Sequence, residues 1–138
     1  MAIKETKNSI VLENEYARLE LSKKDATVLS IKAFDGSEIL AEKNVFFKLI
    51  DKDGNAFENE GLSLDFDVLV LKTSVGELKI RVIVRDKYFI FEGMSALPEK
   101  AYCLIMAELD YEYDIEREDT PRAVLQVSRT GGTEVVCR

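Results

Sequence analysis

The strongest constraint on the fold is a two-residue alternation of apolar and polar side chains in short runs. In ELKIRVIVR (residues 77–85), apolar side chains occupy alternate positions: Leu78, Ile80, Val82 and Val84. Successive side chains of a β-strand point to opposite faces, so such a run predicts a strand with one buried face. YARLEL (16–21), LSLDFDV (62–68) and YEYDIE (111–116) show the same alternation, which places Phe66 on a buried face.

Short turn sequences separate these runs. Asp35-Gly36, Asp53-Gly54 and Gly131-Gly132 supply residues that readily adopt the positive φ angles of tight hairpins. Many short strands joined by such turns predict an all-β fold, a two-sheet antiparallel β-sandwich.

Residues 98–109 (PEKAYCLIMAEL) depart from this pattern. They are rich in helix-forming residues, Ser95 is a candidate N-cap, and Pro98 suits a first helical turn. The sequence therefore allows a short helix within 95–109. CLIMA also fits a strand buried on both faces, and the all-β context favours this alternative.

Size and charge bound the functional classes. We expect the 138 residues to form a single domain spanning 1–138, and the strand-like ending EVVCR suggests a fragment of a longer chain. The formal charge of −7 makes nucleic acid and anionic membranes poor partners. No apolar run approaches the roughly 18 residues of a membrane span. No sequence pattern indicates a cofactor.

The chain has no histidine, which excludes Ser-His and Cys-His catalysis and most zinc or copper sites. Its two cysteines, Cys103 and Cys137, have no motif spacing. Two buried free thiols are the favoured interpretation, and a disulfide in an oxidising compartment is the alternative.

Two segments between residues 8 and 93 resemble a known group of domains. VLENEYARLELSKKDATVLSIKAFDGSEIL (11–40) contains Asn14 and Tyr16 at the entry to a strand, then the strand VLSIKA and the Asp35-Gly36 hairpin. ELKIRVIVRDKYFIFEG (77–93) adds a long hairpin with a Tyr-led second strand. Together these segments resemble the non-catalytic β-sandwich domains that precede catalytic domains in large bacterial glycoside hydrolases and related polysaccharide-processing enzymes.

That group belongs to the galactose-mutarotase-like supersandwich class. The resemblance covers residues 8–93 and implies a structural or carbohydrate-contacting accessory domain, with glycan or a catalytic domain of the same polypeptide as partner. It also implies a periplasmic or extracellular location. Mutarotases rely on histidine with a carboxylate, so no catalytic residue carries over to this chain.

An acidic strip at 108–119 offers candidate carbohydrate contacts. As a strand, it would present alternating carboxylates beside two tyrosines, and the candidates are Asp110, Tyr111, Glu112, Tyr113 and Asp114. The favoured alternative is a solvated face balanced by a basic row that includes Lys79, Arg81 and Arg85. Tyr16, Tyr88 and Tyr102 are further candidates for an exposed sugar platform.

LIDKDGNAFE (49–58) places Asp51, Asp53 and Asn55 at alternate positions, as in a calcium loop. An EF-hand loop requires glycine at its sixth position, whereas Gly54 is the fourth residue counted from Asp51. We therefore keep these three residues only as weak metal candidates and predict a hairpin turn. The functional expectation is a non-enzymatic accessory domain of a carbohydrate-active enzyme. The alternative is a free-standing cell-surface or assembly module that binds another protein.

Overall fold

The computed structural model describes residues 2–40, 43–106 and 135–137, and within these ranges it contains eleven β-strands and no helix. The strands are β1 (Ala2–Glu5), β2 (Ser9–Glu13), β3 (Ala17–Ser22), β4 (Val28–Ala33), β5 (Phe47–Ile50), β6 (Asn59–Asp65), β7 (Val68–Thr73), β8 (Gly76–Val84), β9 (Phe89–Gly93), β10 (Cys103–Met106) and β11 (Val135–Cys137). The predicted all-β class is confirmed.

The strands form three antiparallel sheets. Two are four-stranded meanders, β1-β2-β3-β4 and β6-β7-β8-β9, and the third has the order β11-β10-β5. Buried side chains from both meanders and from β5 and β10 belong to one hydrophobic core, as in a β-sandwich. The structure differs from the predicted two-sheet arrangement by a small third sheet, which shares the same core.

Alternation in the sequence becomes burial in the structure. Ala17, Leu19 and Leu21 of β3 are buried, and their neighbours along the strand are only half-buried. At the centre of the core, the ring centroid of Phe46 lies 4.9 Å from that of Phe47 and 5.1 Å from that of Phe91. These contacts pack the start of β5 against β9.

One asparagine joins segments of all three sheets. Nδ2 of Asn59, at the start of β6, donates hydrogen bonds to the carbonyl oxygens of Asp25 and Phe47, both at 2.9 Å. Asp25 lies in the β3–β4 turn and Phe47 begins β5. Beside this bridge, the Phe46 N–H donates to the Ala26 carbonyl at 2.9 Å. We call this meeting point the Asn59 junction.

The prediction that Phe66 faces the core is wrong. Asp65 pairs with Val68 across the β6–β7 hairpin, so Phe66 and Asp67 form its two-residue turn. Phe66 has a φ of +56° and its surface is 92% exposed. The alternation continues through the turn, and neither turn residue is a glycine or asparagine that would mark the reversal.

The strand alternative for 98–109 is confirmed where the structure describes it. Residues 98–101 form a turn, in which the Ala101 N–H donates to the Pro98 carbonyl at 2.9 Å, and β10 begins at Cys103. Pairing with β5 and burial of Leu104 and Met106 outweigh the local helix propensity. Residues 107–109 lie outside the described ranges. In the described part, no helix has the length and apolarity to span a membrane.

The favoured interpretation of two free thiols is also wrong. Cys103 is disulfide-bonded, and the register of β10 and β11 sets it opposite Cys137, the only other cysteine of the chain. This pairing depends on which strands become neighbours, and cysteine spacing alone carries no such information. The bond links two cysteines that are 34 positions apart (137 − 103).

The disulfide predicts a measurable sensitivity to reduction. Closing a loop of this length stabilises a fold by about 3–4 kcal/mol in the chain-entropy account. We expect Cys103→Ser to lower the free energy of unfolding in urea by about that amount, and reductant to do the same to the unmodified chain. The matched control is Cys103→Ser with reductant, which should show no further loss. Identical urea midpoints for the unmodified chain with and without reductant would contradict the prediction.

Candidate functional site

The predicted carbohydrate contacts in the acidic strip lie outside the described residues. The candidates lie within residues 107–134, outside the described ranges: Asp110, Tyr111, Glu112, Tyr113 and Asp114. The basic row proposed to balance them, Lys79, Arg81 and Arg85, lies within the described residues. Arg81 Nε lies 3.6 Å from Asp67 Oδ2, and in register Arg81 faces Glu92 of β9.

The weak metal candidates Asp51, Asp53 and Asn55 lie in a hairpin turn after β5. Asp51 Oδ1 accepts hydrogen bonds from the backbone N–H groups of Asp53 and Asn55, both at 2.9 Å. Gly54 adopts a φ of +85°, the left-handed conformation that glycine tolerates without steric cost. The Asp51 carboxylate therefore holds the turn through backbone amides. Over the described residues, no three His, Cys, Asp or Glu side chains come together as a metal-binding group.

This turn forms one wall of an open cleft. The cleft measures about 600 Å³, and its other wall is the segment that leads into β10. Its charged and aromatic lining residues are Asp51, Lys52, Asp53, Glu99, Lys100 and Tyr102. The two walls meet because β10 pairs with β5, and the Tyr102 N–H donates to the Ile50 carbonyl at 2.8 Å. We call this site the Tyr102 cleft.

Tyr102 has a fixed backbone and an accessible side chain. It directly precedes the disulfide-bonded Cys103, and 36% of its surface is exposed. An aromatic face of this kind can stack on the C–H groups of a sugar ring, while its hydroxyl remains a hydrogen-bonding group. Neighbouring carboxylates such as Asp53 accept hydrogen bonds from hydroxyls, and neighbouring ammonium groups such as Lys100 donate them.

The other tyrosine candidates lie elsewhere. Tyr16 is half-buried, and Lys87 Nζ lies 5.9 Å from the centroid of its ring. Tyr88 belongs to the β8–β9 turn and has 37% of its surface exposed. Of the described tyrosine candidates, Tyr102 lies in the Tyr102 cleft, whereas Tyr88 lies in the β8–β9 turn and Tyr16 lies near Lys87 of that turn. The sequence singled out both Tyr102 and the 51–55 turn, but the strand pairing that brings them together could not be read from it.

The two aspartates of the 51–55 turn have different roles, which substitution can separate. Asp51→Ala removes the acceptor of two backbone N–H groups, so we expect it to lower the free energy of unfolding by about 1 kcal/mol. Asp53→Ala, the matched control in the same turn, should change it by less than about 0.5 kcal/mol. Both are measured by urea unfolding. Since the turn is held by hydrogen bonds, calcium should not shift the wild-type midpoint, and a calcium-dependent rise would contradict this assignment.

Comparison with protein-family models, curated proteins and solved structures finds no match to this chain.

Proposed function

We propose that this chain is a non-catalytic β-sandwich domain of a carbohydrate-active enzyme, and that it contacts glycan through the Tyr102 cleft. The observation that carries the proposal is the exposed ring of Tyr102, held between the 51–55 turn and β10 with charged side chains on both sides. The resemblance of residues 8–93 to accessory domains of glycoside hydrolases supports the same function.

The composition of the cleft suits a polar ligand that is uncharged overall. Asp51, Asp53 and Glu99 provide carboxylates, and Lys52 and Lys100 provide ammonium groups, so both signs of charge line the same opening. A neutral sugar offers hydroxyls that both donate and accept, and can satisfy this mixture without carrying a buried charge. The cleft is open, as expected for a site that holds a few sugar rings of a longer chain.

Two further features support the assignment of an exported accessory domain. Disulfides persist in oxidising compartments, so the bonded Cys103 favours a periplasmic or extracellular location. The chain lacks histidine, so the acid–base pair on which mutarotases rely has no counterpart in it. In this proposal, a catalytic domain of the same polypeptide carries out the reaction. The β-sandwich domain packs against it and contacts the glycan.

A glycan array probed with the full chain tests this function, followed by calorimetry on any polysaccharide that binds. We expect Tyr102→Ala to weaken binding about fivefold to tenfold, because a stacked aromatic ring contributes about 1 kcal/mol beyond its buried area. Tyr88→Ala removes a tyrosine of nearly equal exposure from a different turn, and should leave the affinity unchanged.

Three outcomes would contradict the proposal. If no glycan on the array binds, the domain does not contact glycan. If Tyr102→Ala and Tyr88→Ala lose the same affinity, the Tyr102 cleft is not the binding site. Hydrolysis of a bound glycan would show that the domain is catalytic. Far-UV circular dichroism of each variant confirms that a lost signal does not reflect unfolding.

A further inference from the structure

The β6–β7 hairpin ends in an aromatic side chain that points away from the protein. Phe66 is 92% exposed, more than any other large apolar side chain of the described residues. Its φ of +56° is a conformation that disfavours any residue with a Cβ atom and suits glycine or asparagine. The turn thus combines an exposed phenyl ring with a disfavoured backbone conformation. Such a combination is a mark of a contact residue.

The surroundings of Phe66 specify the charge of its partner. Asp65 and Asp67 flank the ring in sequence, and both are exposed. The backbone under the ring is fixed: the Val82 N–H donates to the Asp67 carbonyl at 2.7 Å, and Arg81 Nε lies 3.6 Å from Asp67 Oδ2. A matching surface therefore needs an apolar opening with cationic groups at its rim.

The same end of the same sheet carries an opening of that kind. In β8, Arg81 pairs with Val68 beside the Phe66 turn, and the strand continues to Val84 and the 85–88 turn. A cleft of about 410 Å³ lies at that turn, lined by Val84, Arg85, Asp86, Lys87 and Tyr88. Two cations outnumber its single carboxylate, on a chain whose net charge is −7. Val84 and Tyr88 provide apolar surface.

We propose that the occupant of this cleft is Phe66 of a second copy of the chain. Because the ring and the cleft lie at the same end of one sheet, a two-fold axis through that end would let each copy insert its Phe66 into the other's cleft. Asp65 would then approach Arg85 or Lys87 of the other copy. On a chain with a net charge of −7, a cleft lined by more cations than carboxylates attracts an acid-flanked ring.

The small area buried between the two copies indicates a low affinity for the dimer. Each buried phenylalanine contributes roughly 150–250 Å². Two such rings with their clefts stay below the 1,200 Å² or so of a standard interface. The dimer is therefore weak and depends on concentration.

Sedimentation of the full chain from about 10 μM to about 1 mM tests the proposal. We expect a monomer–dimer equilibrium for the unmodified chain and for Tyr102→Ala, and a monomer throughout for Phe66→Ala and Phe66→Gly. Phe66→Gly is the control for misfolding. Glycine suits the left-handed turn, so this variant should lose the dimer without losing thermal stability.

Charge reversal identifies the contact. Asp65→Lys and Arg85→Glu should each weaken association at least tenfold, and the variant carrying both should recover most of it. A monomer at every concentration would overturn the proposal, as would a Phe66→Gly variant that dimerises like the unmodified chain. Tyr102→Ala retains the dimer under this proposal and loses glycan binding under the proposed function, so the two can fail separately.

Discussion

The arrangement of the three sheets depends on the hydrogen bonds of one side-chain amide. Asn59 Nδ2 joins the carbonyls of Asp25 and Phe47, which belong to segments far apart in the sequence. Both carbonyls lie where the chain changes direction or sheet, and each would lose this hydrogen-bond donor if the amide were removed. The aromatic contacts of Phe46 and Phe47 with Phe91 add dispersion at the same place. A hydrogen-bonded polar side chain therefore links the sheets at the point where they meet around the core.

This junction also positions the proposed glycan site. β5 begins at the Asn59 junction and ends at the 51–55 turn, so the turn that forms one wall of the Tyr102 cleft is carried by a strand fixed at its start. The other wall is carried by β10, which pairs with β5 and contains the disulfide-bonded Cys103. A preorganised backbone reduces the entropy that a ligand must remove on binding. Phe66 lies on a different sheet, at the far end of a hairpin, so the two proposed surfaces are structurally independent.

Much of the fold could be predicted because its cause is local. Alternation in 77–85 becomes β8 with Leu78, Ile80 and Val82 buried, and Asp53-Gly54 becomes a turn. The features that could not be predicted from the sequence depend on contacts between distant segments. The opposition of Cys103 and Cys137, and the meeting of Tyr102 with the 51–55 turn, both follow from the neighbours of β10 in its sheet. The prediction for Phe66 fails for a different reason. An apolar side chain at this position of the alternation is typical of a buried strand residue, and only the hairpin register reveals that Phe66 lies in the turn.

The most direct test of the Asn59 junction is the stability of Asn59→Ala, measured by urea unfolding against Asn55→Ala. Asn55 is exposed, and its backbone N–H rather than its side chain makes the hydrogen bond to Asp51. If the junction holds the sheets together, Asn59→Ala lowers the free energy of unfolding by about 2–3 kcal/mol, because two part-buried carbonyls lose their donor. Asn55→Ala then changes it by less than about 0.5 kcal/mol. A loss at Asn59 no larger than that at Asn55 would contradict the account.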